Sequence, residues 1–318
     1  MASTTATPEF EKETGDDGSF QRQQSAFRDQ VTADGADGTL PAVAGRYHLY
    51  VSAACPWAHR AMIFRELKGL QQAIGMTVVD PLRDELGWRF GDGSPARGDV
   101  DPLHGWSYLS EAYTATDPAF DARVTVPVLW DTHANRIVNN ESSDVIRMLN
   151  SAFNAVATRP ELDFYPEQLR AEIDSINEWV YPTINNGVYR CGFAVSQSAY
   201  DAAFDELFAS LDRVEGLLES RRYLTGDHIT EADWRLFTTL VRFDSVYVSH
   251  FKTDKRRIMD YPATWGYARE LYQHESVADT VDFDHIKRHY FMTHGKLNPS
   301  RIVPKGPLLD WSAPHGRG

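Results

Sequence analysis

Cys55 is the residue whose setting best suits chemistry. It follows Tyr47-His48-Leu49-Tyr50-Val51, which reads as a strand, and precedes Pro56, which suits the first position of a helix running through Leu67. A thiol placed there meets unpaired N–H groups and the positive end of the helix dipole, and both favour thiolate over thiol. His59 and Arg60, on the next turn, are expected to add positive field. Ala58 takes the place where a dithiol redox motif carries its second cysteine, so Cys55 has no local partner for a disulfide. A covalent intermediate on Cys55 must be released by an outside thiol, or by Cys191 if the fold brings it close. Cys191, in Tyr189-Arg190-Cys191-Gly192-Phe193, reads on its own as a small buried hydrophobe.

Other chemistries find little support. The 2 cysteines cannot build a disulfide framework or a four-ligand zinc site. The 11 histidines show no metal spacing; His285 and His289 lie four apart but lack a third ligand, and read as a solvated helix face. No Gly-rich phosphate loop follows a strand, and no Gly-x-Ser-x-Gly occurs. No metal is expected.

Cys55-Pro56-Trp57-Ala58, Val126-Pro127-Val128-Leu129-Trp130-Asp131, Glu141-Ser142-Ser143 and Asn185-Asn186-Gly187-Val188-Tyr189 together resemble the glutathionyl-hydroquinone reductases, the Xi class of glutathione transferases. The likeness runs from about Phe20 to Pro304, and Trp57 separates it from the omega class. It implies a thioredoxin-like N-terminal domain with an all-helical C-terminal domain, and glutathione as co-substrate. Cys55 would be the nucleophile. The stretch Arg123-Val124-Thr125-Val126-Pro127 would line the tripeptide site, with Val126 pairing its backbone to the cysteinyl unit before a cis Pro127. Glu141 and Ser142 would hold the γ-glutamyl ammonium and carboxylate, and Trp88 would contact the tripeptide. Tyr189 resembles the proton donor of the family. Tyr247 and Tyr290 match tyrosines that hydrogen-bond the sulfur and favour its ionised form. The partners implied are a small thiol and an aromatic quinol adduct, and the assembly implied is a homodimer. The sequence leaves open whether the thiol is glutathione, γ-glutamylcysteine or another low-molecular-weight thiol. Two other readings stay open: an omega-like thiol transferase or dehydroascorbate reductase, and a non-catalytic binding protein of the same shape.

The elements that must position these residues are legible in outline. Residues 1–40 read as an extended arm that drapes over the body through Phe10, Phe20 and Phe27. Residues 41–153 read as the thiol-binding domain. They hold the strand at 47–51, the helix from Pro56, a strand at Met76–Val79, a hairpin formed by Val124–Asp131 and Arg136–Val138, and a helix opened by Asn139–Asp144. Pro127 cannot donate to a ladder, so it must lie at an edge or bend. Between strand and hairpin, residues 83–123 read as a long polar loop, and a loop of that length usually covers a site. A linker at 154–166 leads to an all-helical domain at 167–318, with helical periodicity at 168–180, 199–219, 231–243, 263–272 and 284–291. Thr230 and Asp233 suggest a capping box at the third of these.

Composition sets the outer bounds. The 318 residues are 42% hydrophobic and 24% charged, enough apolar mass for two domains. With 32 basic against 45 acidic residues the net charge is −13, which argues against nucleic acid or an anionic membrane as partner. The first forty residues show no basic start followed by an apolar stretch, and no window is long and apolar enough for a membrane span. The expected location is the cytoplasm.

Overall fold

The computed structural model describes residues 13–317. Among them the chain divides into two compact units. One comprises Gln23–Asp163 and Asp279–Val303; the other comprises 13–22, Phe164–Ala278 and 304–317.

The first unit is built on a four-stranded sheet. Its strands are β3 (Tyr47–Val51), β4 (Ile74–Val78), β7 (Val128–Asp131) and β8 (Arg136–Asn139); two-residue strands β1 (Val31–Thr32) and β2 (Leu40–Pro41) come before them, and a separate hairpin of β5 (Arg83–Asp84) and β6 (Gly87–Trp88) lies between β4 and β7 in the chain. The spatial order is β4-β3-β7-β8. β3 and β4 run parallel, so they need a crossover, which helix α1 (Pro56–Leu67) supplies. β7 runs antiparallel to β3, with Leu49 opposite Leu129 and Tyr50 opposite Val128. Helix α3 (Ser142–Ser151) follows β8 and packs on α1. All five residues of β3 are buried, because its sheet is covered on both faces. His48 accepts this only as a neutral ring: burial pushes it down to about 4, and its Nε2 meets Thr77 Oγ1 at 2.7 Å. Cis Pro127 ends the ladder, so β7 starts at Val128 rather than at Val124.

Residues 83–123 are not the continuous loop their composition suggests. They contain β5, β6 and helix α2 (Ser110–Thr116), which buries only Ala112 and Tyr113 and so leaves almost no apolar periodicity to read. Carboxylates organise the remainder. Asp80 receives Arg89 at 3.0 Å, and Asp101 accepts from Tyr50 Oη at 3.0 Å and from the N–H groups of Leu103, His104 and Trp106. Those turns set His104 and Trp106 against Trp130 of β7, with ring centroids 5.5 and 5.3 Å apart.

The second unit is helical: α4 (Arg170–Val180), α5 (Gly187–Gly192), α6 (Gln197–Leu218), α7 (Glu231–Arg242), α8 (Val248–His250) and α9 (Pro262–Tyr272). Helix α7 is its centre, with all twelve residues buried. The capping box is formed as read: Thr230 and Asp233 bond reciprocally, and Asp233 also accepts from Leu224 N at 2.9 Å and Tyr267 Oη at 2.8 Å. Two π-helical turns, Tyr181–Asn185 and Phe243–Tyr247, extend α4 and α7. Pro182 stands in the first, where its missing N–H and bulky ring are better tolerated than in a regular turn.

Helix α10 (Phe283–Thr293) belongs to the first unit, whereas the sequence reading placed it in the helical domain at 167–318. Its side chains explain the grouping. His289 Nδ1 bonds Pro81 O at 2.7 Å and His285 Nε2 bonds Pro95 O at 2.7 Å. Arg288 donates to Ala96 O, and Arg83 N donates to Thr293 Oγ1 at 3.2 Å. The expectation of a solvated helix face for His285 and His289 is therefore corrected: both are buried and bond the carbonyls of Pro95 and Pro81. The arm docks through its phenylalanines. Phe20 lies 5.4 Å from Phe193 in the second unit, and Phe27 lies 5.7 Å from Tyr113 in the first; Phe10 is outside the described residues. Among the described residues no helix is long and apolar enough to cross a membrane.

Candidate active site

Cys55 is the N-cap residue of α1, with extended backbone (φ −81°, ψ 123°) and Pro56 next in line. Its C=O accepts the first helical bond, from His59 N at 3.0 Å, and its thiol makes no capping bond. Negative charge is favoured at such a position by the helix start. The half-buried thiol donates instead to Val126 O across 3.7 Å. Thus the sulfur stands beside the backbone that the sequence reading assigned to the cysteinyl unit of a thiol peptide. Val126–Pro127 is cis, as expected, and Val126 N–H is not hydrogen-bonded to any described residue. A buried extended residue with an unused N–H is a docking edge for another extended chain.

The flanks of that edge are held firmly. Thr125 N and C=O both bond Tyr113 Oη, at 3.2 and 2.8 Å, and Asn140 Nδ2 reaches Thr125 Oγ1 at 3.2 Å. Burial raises the Tyr113 phenol, keeping it protonated and able to donate. Thr125, counted from the sequence as a ligand contact, is thus engaged by the protein, and Val124 beside it is buried. Arg123 is pinned by Gln23, whose Nε2 donates to Arg123 O at 2.8 Å while its Oε1 accepts from Arg123 N at 3.1 Å.

Glu141 and Ser142 open α3. Glu141 is its N-cap; Oε1 accepts from Ser143 N at 3.1 Å and Oε2 from Ser25 Oγ at 2.9 Å. Ser142 Oγ accepts from Arg60 Nη1 at 3.3 Å, and the Arg60 guanidinium also lies 4.6 Å from the Trp57 ring. His59 bonds Thr280 Oγ1 at 2.8 Å, and Arg60 brings its charge to Ser142. A cation and a helix start at Ser142 suit a carboxylate, while the Glu141 carboxylate beside them suits an ammonium group.

Trp88 is 5% exposed and stacks on His289 at 4.8 Å and 19°, with Arg83 5.2 Å from its ring. Tyr290, the next residue of α10, is 1% exposed and belongs to the same unit as Cys55. Its ring meets His289 and His294, and the sulfur's hydrogen bond among the described residues is the one to Val126 O rather than one from Tyr290.

Tyr189 and Tyr247 lie together in the second unit, their centroids 6.1 Å apart. Phe251 stacks on Tyr247 at 5.4 Å and 4°, and also lies 5.4 Å from Tyr189. Tyr189 follows one π-helical turn and Tyr247 ends the other, and the extra residue of such a turn rotates the face presented by about 100°. Over Tyr189 sits Arg22, 4.7 Å from the ring centroid and fixed by Asn186 Oδ1 at 2.7 Å. Asn186 belongs to the Asn-Asn-Gly-Val-Tyr segment, so that segment holds a cation as well as a phenol. Cys191 is buried, and burial pushes its thiol up to about 12. At neutral pH it is no nucleophile.

Sequence reading missed Gln23, Ser25 and Arg22 because the arm has no periodicity, and their partners lie 100 to 164 residues away. Among the described residues no group of three or more His, Cys, Asp or Glu could hold a metal ion.

Comparison with known proteins places this geometry. Residues 54–152 match the family Glutathione S-transferase, N-terminal domain, and residues 197–270 match Glutathione S-transferase, C-terminal domain. The chain is 52% identical to glutathionyl-hydroquinone reductase YqjG of Escherichia coli, over 96% of this chain and 94% of that protein. The glutathione-bound structure of YqjG superposes with a TM-score of 0.88, covering 92% of this chain and 96% of that one. The Xi glutathione transferase structure from Phanerochaete chrysosporium gives 0.91 at 51% identity, covering 95% and 98% of the two chains. The chain therefore belongs to the glutathionyl-hydroquinone reductases, the Xi class of glutathione transferases, with a thioredoxin-like N-terminal domain and a helical C-terminal domain.

Proposed function

We propose that this protein reduces glutathionyl-hydroquinones to hydroquinones at the expense of glutathione. The observation that carries the reading is the Cys55 thiol at the start of α1, 3.7 Å from the carbonyl of Val126. Cys55, as thiolate, attacks the sulfur of the aryl thioether. A Cys55–glutathione disulfide forms, and the carbon–sulfur electron pair passes to the ring carbon. A carbanion is a poor leaving group, so the ring must be protonated as the bond breaks; in this reading Tyr189 gives that proton. A second glutathione thiolate then attacks the mixed disulfide, releasing oxidised glutathione and restoring Cys55. The sulfur is oxidised and the ring carbon reduced by the same electron pair, so no metal or flavin is required.

The remaining residues take binding roles. Val126 pairs with the cysteinyl backbone, Glu141 and Ser142 hold the γ-glutamyl end, and Arg123 serves the glycyl end. Support comes from the charge pattern: Arg60 beside Ser142 and a fixed carboxylate at Glu141 match the zwitterionic end of the tripeptide. Trp88, Tyr189 and Tyr290 are read as the aromatic residues that stack on a phenolic ring, and Tyr247 as a hydrogen-bonding tyrosine that favours the ionised sulfur. A reducing cytoplasmic setting and a homodimeric state complete the proposal. The test is mass spectrometry of protein incubated with a glutathionyl-hydroquinone and no free glutathione. Wild type should retain one glutathione on Cys55, and Cys55→Ser should retain none and turn over nothing. Substantial turnover by Cys55→Ser would sink the scheme.

A further inference from the structure

We propose that the arm residues Ser25 and Gln23 are positioning residues that set the two ends of the thiol-peptide groove separately, Ser25 through Glu141 and Gln23 through Arg123. The inference rests on the proposed roles of Glu141 and Arg123 and extends them to a segment that holds none of the chemistry.

The geometry makes the division. Ser25 Oγ donates to Glu141 Oε2 at 2.9 Å, while Ser143 N and Oγ occupy Oε1 at 3.1 and 3.0 Å. Both oxygens of the carboxylate are thereby oriented, and Oε2 keeps a further lone pair for an ammonium group. Without Ser25 the carboxylate keeps only its contacts at Oε1 and can turn about its last bond. Gln23 works on backbone: its amide bonds both N and C=O of Arg123, as a paired strand would. With Tyr113 and Asn140 fixing Thr125, the main chain leading into Val126 is tied at 123 and at 125. The arm stays in place for other reasons. Phe27 N donates to Asn140 Oδ1 at 3.1 Å, Asn140 N donates to Phe27 O at 3.1 Å, and Asp29 N donates to Val138 O at 3.0 Å along the edge of β8. Removing either side chain therefore leaves the strap docked, and the two substitutions report on the groove.

Three thiols separate the two ends: glutathione, its analogue lacking the α-amino group, and γ-glutamylcysteine, which lacks the glycyl unit. Each is presented as its hydroquinone thioether, because the mixed disulfide on Cys55 leaves that thiol in the groove, with glutathione saturating as second substrate; kcat and KM for the thioether are measured for wild type, Ser25→Ala, Gln23→Ala and Ser25→Thr. Loss of one charge-assisted hydrogen bond should raise KM by about 5- to 10-fold with kcat unchanged. Ser25→Ala should do so for glutathione and γ-glutamylcysteine but not for the deaminated analogue, and Ser25→Thr should restore the wild-type value. Gln23→Ala should raise KM for glutathione and the deaminated analogue but not for γ-glutamylcysteine. Equal increases for all three thiols, or a fall in kcat at constant KM, would overturn the inference while leaving the proposed reaction standing. If wild type turns over none of the three thioethers, the functional reading itself falls, and this inference with it.

Discussion

Replacing Gly192 by alanine sets two physical effects against each other. Gly192 is the last residue of α5, where exchange of glycine for alanine ordinarily stabilises by about 0.5–1 kcal/mol through reduced freedom of the unfolded chain. Space opposes it. A Cβ at this position would stand 2.0 Å from Cδ1 and 2.3 Å from Cγ of Phe251. Carbon atoms rest about 3.5–4.0 Å apart, so the ring must retreat by roughly 1.5–2 Å. It has little room, being fully buried, stacked on Tyr247 at 5.4 Å and 5.1 Å from Phe193. Overpacking of this kind costs about 1–3 kcal/mol, more than the backbone gain. Gly192→Ala should therefore lower Tm, at about 2–4 °C per kcal/mol for a domain of this size. Displacing the ring also moves Tyr247 and Tyr189, and a misplacement near 1 Å can cost up to about 100-fold in rate. Adding Phe251→Leu should recover part of the stability by freeing volume, but not the rate, because the stacked ring is gone. Thermal unfolding and steady-state turnover on the single and double variants decide it. A single variant with unchanged or raised Tm and normal kcat would refute the packing argument.

Two further outcomes can be checked with the same protein. Arg22→Met keeps the packed stem but removes the cation from the face of Tyr189, so the phenol becomes a weaker acid; kcat should fall about 3- to 10-fold with KM for glutathione unchanged, and an unaltered kcat would deny Arg22 a part in proton donation. With its thiol pushed up to about 12, Cys191 carries roughly one part in 10⁴ of thiolate at pH 8, so iodoacetamide should label Cys55 in the native protein and Cys191 only after unfolding; native labelling of Cys191 first, or loss of turnover in Cys191→Ala, would contradict this.

The order of strand, helix, strand, hairpin and helix in the first unit was legible because each element has an apolar period and a chemical stop: Pro56 at a helix start, Gly69 past its end, Pro127 at a strand end. The nucleophile was legible for the same reason, since its position depends on a strand–helix junction only nine residues long, 47–55. Helices α4, α6, α7, α9 and α10 showed their periodicity, yet where α10 belongs did not show. That depends on His285 and His289 bonding carbonyls about 190 to 208 residues earlier, and no local pattern encodes such a pairing. Helix α2 stayed hidden because two buried residues make no period.

The local sequence, then, determined which thiol can react and that it stands alone, because a helix start and an absent second cysteine are properties of neighbours in the chain. Tertiary structure decided what the other residues of the reading meet within their own units. Arg60 faces Ser142 rather than the sulfur, Gln23 and Ser25 reach Arg123 and Glu141 from an arm without pattern, and Arg22 rests on Tyr189. These are single long-range hydrogen bonds and ring contacts between polar side chains. Such contacts leave no periodic trace, since their energy depends on where the folded chain brings each partner.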